Sequence, residues 1–193
     1  MNPVIFLVLI AILLSGLHMI APDHWMPLSA LNLKNSFEPK KLRLTAFLLG
    51  LLHGITSTAL ALLVIFVGVY IFGTREIRII SAIILFIVAA YILINSYREA
   101  QSKSSVENTS LAVSVFPDPA FLPILIAAAA YGIFSISIVS ILFVISSALF
   151  LLLIVILVNM GLAKSLSKLR PVTVDRIVVI ALLLTSVYIY LYG

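Results

Sequence analysis

Histidine and carboxylate side chains cluster in one short segment of the chain. His18 and His24 enclose Pro22 and Asp23 in the sequence HMIAPDH, and the chain has three histidines in all, the third being His53. Two imidazoles and a carboxylate are a ligand set that suits a divalent first-row transition metal. The sequence therefore predicts a metal site in which His53 joins the ligands of this segment.

The proline decides whether the two nearby histidines can bind one ion. In a regular helix, residues six positions apart point about 120° away from each other, so His18 and His24 would face different sides. Pro22 lacks an N–H, and its ring clashes with the carbonyl of the residue four positions earlier, which is His18. We therefore expect a helix break that brings Asp23 and His24 back toward His18. The break should also free the His18 carbonyl as an additional ligand.

Simpler roles for the same residues stay open. His24 and the adjacent Trp25 would serve as an interfacial anchor if the first span ended before them. Asp23 would cap a short helix that follows it. His53 would be a hydrogen-bonding residue in helix packing.

The segment around His53 also carries small and hydroxyl residues. Gly50 and Gly54 form a small-xxx-small pattern, which lets another helix approach closely in a membrane. The hydroxyl residues 56–58 follow directly and add oxygen atoms beside the histidine. We expect this part of the chain to be a tightly packed helix.

The elements that position these residues lie in a membrane. Of 193 residues, 63% are hydrophobic and 10% charged, and the mean hydropathy is +1.28. Soluble domains have about 45–50% apolar and about 25% charged residues. The chain has no cysteine, which excludes disulfides and thiolate metal sites and disfavours Cu(I). The net charge of +5 fits basic cytoplasmic loops, and we expect no nucleic acid partner.

The apolar runs predict an all-α polytopic membrane protein with about six transmembrane helices. A span needs about 20 apolar residues, and lipid offers the backbone no partners, so each span must be helical. The predicted spans are residues 3–31 with an interruption at 21–23, 44–72, 77–95, 111–131, 134–162 and 172–192. Gly132 should make a tight turn between the fourth and fifth spans.

Loop charge predicts the orientation. Basic residues follow the first, third and fifth spans, whereas only Arg75 and Arg78 fall on the opposite side. The positive-inside rule then places both termini outside in a multi-pass cell-membrane protein. The lipid bilayer is thus one partner, and a homo-oligomer is possible.

The spans divide as three plus three. Pro22-Asp23 and Pro117-Asp118 lie about half the chain apart. Three spans per half require an inverted repeat, and inverted repeats with broken helices are typical of transporters whose substrate site lies near the midplane. We expect broken helices at Pro22 and Pro117. The predicted units are a first repeat at 1–96, a polar cytoplasmic linker at 97–110 and a second repeat at 111–193.

Asp118 lies between Pro117 and Pro119. The flanking prolines prevent a regular helix start and expose backbone carbonyls. One interpretation is that these three residues contribute the second repeat's part of the transport pathway. The other is that Asp118 caps the helix that follows.

The motif H-x4-D-H, here His18, Asp23 and His24, resembles the signature of the nickel/cobalt transporter family. It is also similar to the related nickel/cobalt efflux proteins and urease-accessory-like membrane proteins of the amino-acid exporter superfamily. The sequence FPDPA at 116–120 resembles the proline-rich motif that opens the second half of the efflux members. This chain lacks the long histidine-rich loop that efflux members often carry. The resemblance implies that the two histidines and the aspartate bind metal.

These observations together predict a transporter of Ni²⁺ or Co²⁺ rather than an enzyme, with the metal as transported substrate and no permanently bound cofactor. Zn²⁺, Fe²⁺ and Mn²⁺ stay open, and proton coupling is expected because no nucleotide-binding motif is present. One alternative is an exporter of a small organic or sulfur-containing anion from the same superfamily. Others are a haem-binding membrane protein and a membrane-embedded metal hydrolase, which would need a general base beside the metal.

Overall fold

A computed structural model describes the backbone of residues 2–35, 37–101, 118, 120–162 and 171–192. This part of the chain is helical and contains no β-strand. The helices are α1 (Pro3–Ile20), α2 (Pro22–Asn35), α3 (Pro39–Gln101), α4 (Phe121–Ala129), α5 (Ile133–Leu157), a π-helical turn (Val158–Leu162) and α6 (Pro171–Tyr192).

Three helical stretches of the described chain are long and apolar enough to cross a membrane. They are Pro3–Ile20, Pro39–Phe66 and Ile133–Gly161, and a shorter apolar helix covers Arg176–Val187. Large apolar side chains lie on the outside of these helices; Phe66 is 80% exposed. An apolar exterior is unfavourable in water but expected against lipid tails. The described part of the chain is thus an all-helical membrane protein, as the composition predicts.

The helix break predicted at Ala21–Asp23 is present. Ala21 has φ −59° and ψ 135°, an extended conformation between α1 and α2. The residue before a proline is pushed out of the α region, and a proline suits the first position of a new helix. Trp25 donates its indole N–H to the carbonyl of Ile20 at 3.0 Å, which ties the two sides of the break together.

The structure has no helix break between the second and third predicted spans: α3 is continuous from Pro39 through Gln101. The residues between these two predicted spans, 73–76, include a glycine but no proline, and a helical glycine costs only about 1 kcal/mol relative to alanine. The helix also includes the first residues of the predicted linker. Residues 102–117, with Pro117 and its predicted helix break, lie outside the described residues.

Helices α3 and α5 pack with their backbones close together. A Cβ atom on Gly50 would lie 2.6 Å from the carbonyl oxygen of Ser147, and one on Gly54 would lie 2.8 Å from the Cα of Val144. The predicted small-xxx-small face is therefore confirmed, with α5 as its partner. This close approach brings the middle of α3 into the interior of the protein.

The short helix α4 is buried in the largest hydrophobic cluster. Phe121 at its start stacks on Phe143 of α5 with ring centroids 3.6 Å apart. The predicted tight turn follows α4: Gly132 has φ 90° and ψ 176° and directly precedes α5. Asp118 and Ala120, which lie just before α4, are buried as well.

Candidate metal centre

The three histidines come together from three helices. His18 lies in the last turn of α1, His24 in the first turns of α2 and His53 in the middle of α3. One ring nitrogen from each lies within 4.8 Å of the others, an arrangement that could hold a metal ion. His24 and His53 are buried, with 2% and 0% exposure, whereas His18 is partly exposed.

His18 and His24 make the closest contact of the cluster. Their Nε2 atoms are 2.9 Å apart, and their ring centroids are 4.5 Å apart. In an unbroken helix these side chains would diverge by about 120°. The extended conformation of Ala21 reorients α2 and makes the contact possible. The predicted effect of the break on these two residues is thus confirmed.

His53, on α3, lies close to both of these rings. Its ring centroid lies 5.1 Å from that of His18, nearly parallel, and 5.0 Å from that of His24, nearly perpendicular. His53 shares one face of α3 with Gly50, Gly54 and Ser57. Counted from Gly50, the other three lie three, four and seven positions along the helix, and all four residues are buried. The glycines bring that face against α5.

The spacing of the ring nitrogens fits a small divalent ion. With metal–nitrogen bonds of about 2.0–2.1 Å, two ligands at right angles lie about 2.9 Å apart and two opposite ligands about 4.2 Å apart. The 2.9 Å separation of the His18 and His24 nitrogens matches the first arrangement. Two nitrogens 4.8 Å apart, the upper limit in this cluster, would have to approach by about 0.6 Å to bind one ion from opposite sides.

Asp118 lies beside the cluster. Its Oδ2 is 3.9 Å from Nδ1 of His18, and the side chain is only 2% exposed. Its Oδ1 accepts a hydrogen bond of 2.8 Å from the backbone N–H of Ala120. The two interpretations of Asp118 are therefore compatible, because one oxygen stabilises the turn before α4 while the other faces a histidine of the cluster.

Ser57 connects Asp118 to the helix that carries His53. The backbone N–H of Asp118 donates to the Ser57 hydroxyl at 2.8 Å, and that hydroxyl donates to the carbonyl of His53 at 2.8 Å. From the sequence, Ser57 was expected only to place a hydroxyl oxygen near His53. The signal for a specific role was its position four residues after His53 on the same helix face.

Two expectations about this region are wrong. The His18 carbonyl is not freed as a ligand, because it accepts the backbone N–H of Ala21 at 3.0 Å. His24 and Trp25 do not form an exposed interfacial anchor, since they are only 2% and 3% exposed inside the protein. The tight turn at the break satisfies the carbonyl, and the packing of α2 against α1 and α5 buries the two rings.

Four residues of the predicted site stay predictions. The side chains of Pro22 and Asp23 and all of Pro117 and Pro119 lie outside the described residues. The ligand role of Asp23 and its proposed capping role are thus equally open. The backbone at Pro22 does have the predicted place, at the start of α2.

Comparisons with known proteins found no matching family profile, no matching curated protein and no matching solved structure. The similarity to nickel/cobalt transporters thus stays a prediction that depends on the H-x4-D-H motif. The geometry of the histidines is independent of that similarity.

Proposed function

We propose that this protein is a membrane transporter of a divalent first-row transition-metal ion, with Ni²⁺ or Co²⁺ as substrate. His18, His24 and His53 bind the ion during transport, and Asp23 is an expected further ligand. The observation that carries the proposal is the convergence of one nitrogen from each histidine within 4.8 Å. Two of the three rings, those of His18 and His24, come from helices that are joined by a break, as in transporter substrate sites.

The ligand chemistry supports this substrate class. Imidazole nitrogens suit nickel, cobalt, zinc and iron, whereas magnesium and calcium prefer all-oxygen sites. The absence of cysteine removes the soft ligands that Cu(I) prefers. The buried carboxylate of Asp118 beside His18 favours a cation and disfavours the anionic substrate considered above. Nickel and cobalt are chosen within this class because of the H-x4-D-H motif.

The proposal includes the topology predicted from the sequence. About six spans would form two inverted halves in the cell membrane, with both termini outside. This topology requires the chain to reverse direction between the second and third spans, where the structure has the continuous helix α3. Two observations support it: the break at Ala21 lies beside the histidine cluster, and long apolar helices carry the cluster. Basic residues in alternate loops support the orientation.

Metal titration of the purified protein tests the binding step. Ni²⁺, Co²⁺ and Zn²⁺ are titrated in detergent by competition with a chromophoric chelator. The wild type should bind about one ion, and the His18→Ala/His24→Ala variant should lose that binding. Ser146→Ala is the matched control, because this buried serine bonds within α5 to the carbonyl of Phe143. Equal binding by wild type and the histidine variant would refute the metal site.

Flux into proteoliposomes tests transport itself. Vesicles that contain a metal-sensitive dye should respond to external Ni²⁺ or Co²⁺ only when they carry wild-type or Ser146→Ala protein. Binding without flux, under both an inward and an outward proton gradient, would contradict the transport proposal and leave a resident metal site.

A membrane-embedded metal hydrolase is the second candidate. Such an enzyme needs a general base beside the metal, and Asp118 Oδ2 lies 3.9 Å from His18 Nδ1. Three histidines with an open position and a nearby carboxylate are the components of a zinc site that activates water. Stoichiometric zinc that survives purification, together with absent metal flux, would favour this candidate over the transporter.

A further inference from the structure

We infer that Asp118 is a positioning residue for His18 in the metal site, and that Ser57 fixes Asp118 in place. This inference depends on the proposed metal binding by the histidine cluster. It assigns the segment before α4 a direct part in a site whose histidines all come from α1, α2 and α3.

The two ring nitrogens of His18 face two different residues, His24 and Asp118. Nε2 faces His24 at 2.9 Å, and Nδ1 faces Asp118 Oδ2 at 3.9 Å. When one imidazole nitrogen binds a metal, the other carries a proton and usually donates it to a carboxylate, a carbonyl or water. That donation fixes the ring orientation and makes the nitrogen ligand more basic. The position of Asp118 is therefore the position of an outer-shell partner.

The distance leaves room for this hydrogen bond to form. An N–H···O bond is about 2.7–3.2 Å long, so 3.9 Å must shorten by about 1 Å. Rotation of either side chain can supply that movement, and functional hydrogen bonds often tighten when the site is filled. His18 is also the only histidine of the cluster that is partly exposed, so it needs external orientation more than His24 or His53.

The second oxygen of Asp118 is available for His18. Its Oδ1 bonds to the backbone of Ala120, whereas its Oδ2 is buried and has no hydrogen bond within the described part of the chain. A buried polar oxygen without a partner has lost its hydration without compensation, so such atoms are rare unless they have a use. The ring of His18 is a titratable group 3.9 Å from this oxygen.

Ser57 fixes the carboxylate relative to the metal ligands. The Asp118 backbone N–H, the Ser57 hydroxyl and the His53 carbonyl form a chain of two hydrogen bonds, each 2.8 Å long. Asp118 is thus tied to the helix of one histidine while its side chain faces another. A shift of Ser57 would move the carboxylate away from His18 without changing any ligand side chain.

A double-mutant cycle between Asp118 and His18 tests the inference. Asp118→Asn keeps the oxygen for Ala120 but presents an N–H₂ to the ring, so it cannot accept the Nδ1 proton. We expect Asp118→Asn to weaken Co²⁺ binding by about 10–100-fold, the range for loss of an outer-shell partner. The same substitution in a His18→Ala background should change the remaining affinity by less than about twofold, because its effect passes through His18.

X-ray absorption of the Co²⁺-loaded proteins supplies a readout that a purely structural role would not change. The wild type should show three imidazole ligands, and Asp118→Asn should show the altered spectrum of a site with a disordered third imidazole. Equal Co²⁺ affinity and an unchanged spectrum in Asp118→Asn would overturn the inference while leaving the metal site intact. No Co²⁺ binding by the wild type would refute the proposed function itself, which separates the two failures.

Ser57 provides a second, milder test that does not alter the carboxylate. Ser57→Ala should weaken Co²⁺ binding severalfold, Ser57→Thr should restore it, and Ser146→Ala should have no effect. If Asp118→Asn does not give a monodisperse protein, the Ser57 variants test whether the position of Asp118 affects Co²⁺ affinity. Unchanged affinity in Ser57→Ala would then overturn the role of the Ser57–Asp118 link.

Discussion

The Nε2 atoms of His18 and His24 lie 2.9 Å apart although the two residues belong to different helices. Ala21, in an extended conformation, separates the helices, and Pro22 begins the second one. The contact therefore depends on one backbone position rather than on the histidines alone. A change that restores a continuous helix at this position should separate the rings.

Pro22→Ala should reduce metal affinity by at least about tenfold. Without the proline ring, Ala21 is no longer excluded from the α region, and α1 can continue into α2. His24 would then turn by about 120° away from His18. Chelator competition with Ni²⁺ and Co²⁺ measures the change. Pro3→Ala is the matched control, because Pro3 also begins a helix but lies at the far end of α1. Equal affinities in wild type and Pro22→Ala would show that tertiary packing alone imposes the break.

His53→Ala should abolish the stabilisation that a bound metal gives the protein. A ligand present at 100 times its dissociation constant raises the free energy of unfolding by about 2.7 kcal/mol. Thermal unfolding in detergent, with and without Ni²⁺, should show a metal-dependent rise for the wild type and none for His53→Ala. The metal-free melting temperatures provide the internal control, since they separate a loss of packing at this fully buried residue from a loss of binding. A full metal-dependent rise in the variant would remove His53 from the site.

Gly54→Ala should destabilise the protein even though alanine is the better helix former by about 1 kcal/mol. The added Cβ would lie 2.8 Å from the Cα of Val144, so α3 and α5 would have to separate. Overpacking of this kind costs about 1–3 kcal/mol. Gly50→Ala should behave alike, because its Cβ would meet the carbonyl of Ser147 at 2.6 Å. Thermal unfolding measures the loss.

The control for the glycine variants is Ile55→Ala, which truncates an exposed neighbour on the same helix. It should change stability much less than either glycine variant. Because His53 lies between the two glycines, both glycine variants should also weaken Co²⁺ binding. Unchanged stability in Gly54→Ala would mean that α5 can yield at this contact.

The structural features that could be predicted from the sequence are those that a single proline or glycine determines locally. The break before Pro22, the close packing at Gly50 and the turn at Gly132 each follow from a residue type with a strict backbone consequence. The helix continues between the second and third predicted spans because a glycine only weakens a helix. The hydrogen bond from the Asp118 backbone N–H to Ser57 could not be foreseen, since it joins residues that are far apart in the chain.

Gly132→Ala should destabilise the protein through its backbone alone. With φ 90° and ψ 176°, Gly132 occupies a region that is almost confined to glycine, and holding another residue there costs about 1–3 kcal/mol. Within the described part of the chain, and apart from the adjoining residues, nothing lies within 4 Å of the position that a Cβ would take, so the loss would not come from a clash with these residues. Gly161→Asn is the comparison variant: Gly161 has φ 91° and ψ 2°, nearer the left-handed region that asparagine tolerates. It should cost less than Gly132→Ala in thermal unfolding. Equal, small effects of both variants would contradict a strained turn before α5.

Trp25→Phe should reduce both stability and metal affinity. The indole N–H of Trp25 bonds to the carbonyl of Ile20 across the break, and phenylalanine keeps the buried ring but loses this donor. Loss of one such hydrogen bond costs about 0.5–1.5 kcal/mol. Because the bond joins α1 to α2, its loss should also let His18 and His24 separate and weaken Co²⁺ binding severalfold. Tyr91→Phe, which removes one polar atom from an exposed ring, should change neither quantity. A stability loss in Trp25→Phe with unchanged Co²⁺ affinity would show that the break holds its geometry without this bond, and that the proline alone sets the distance between the two histidines.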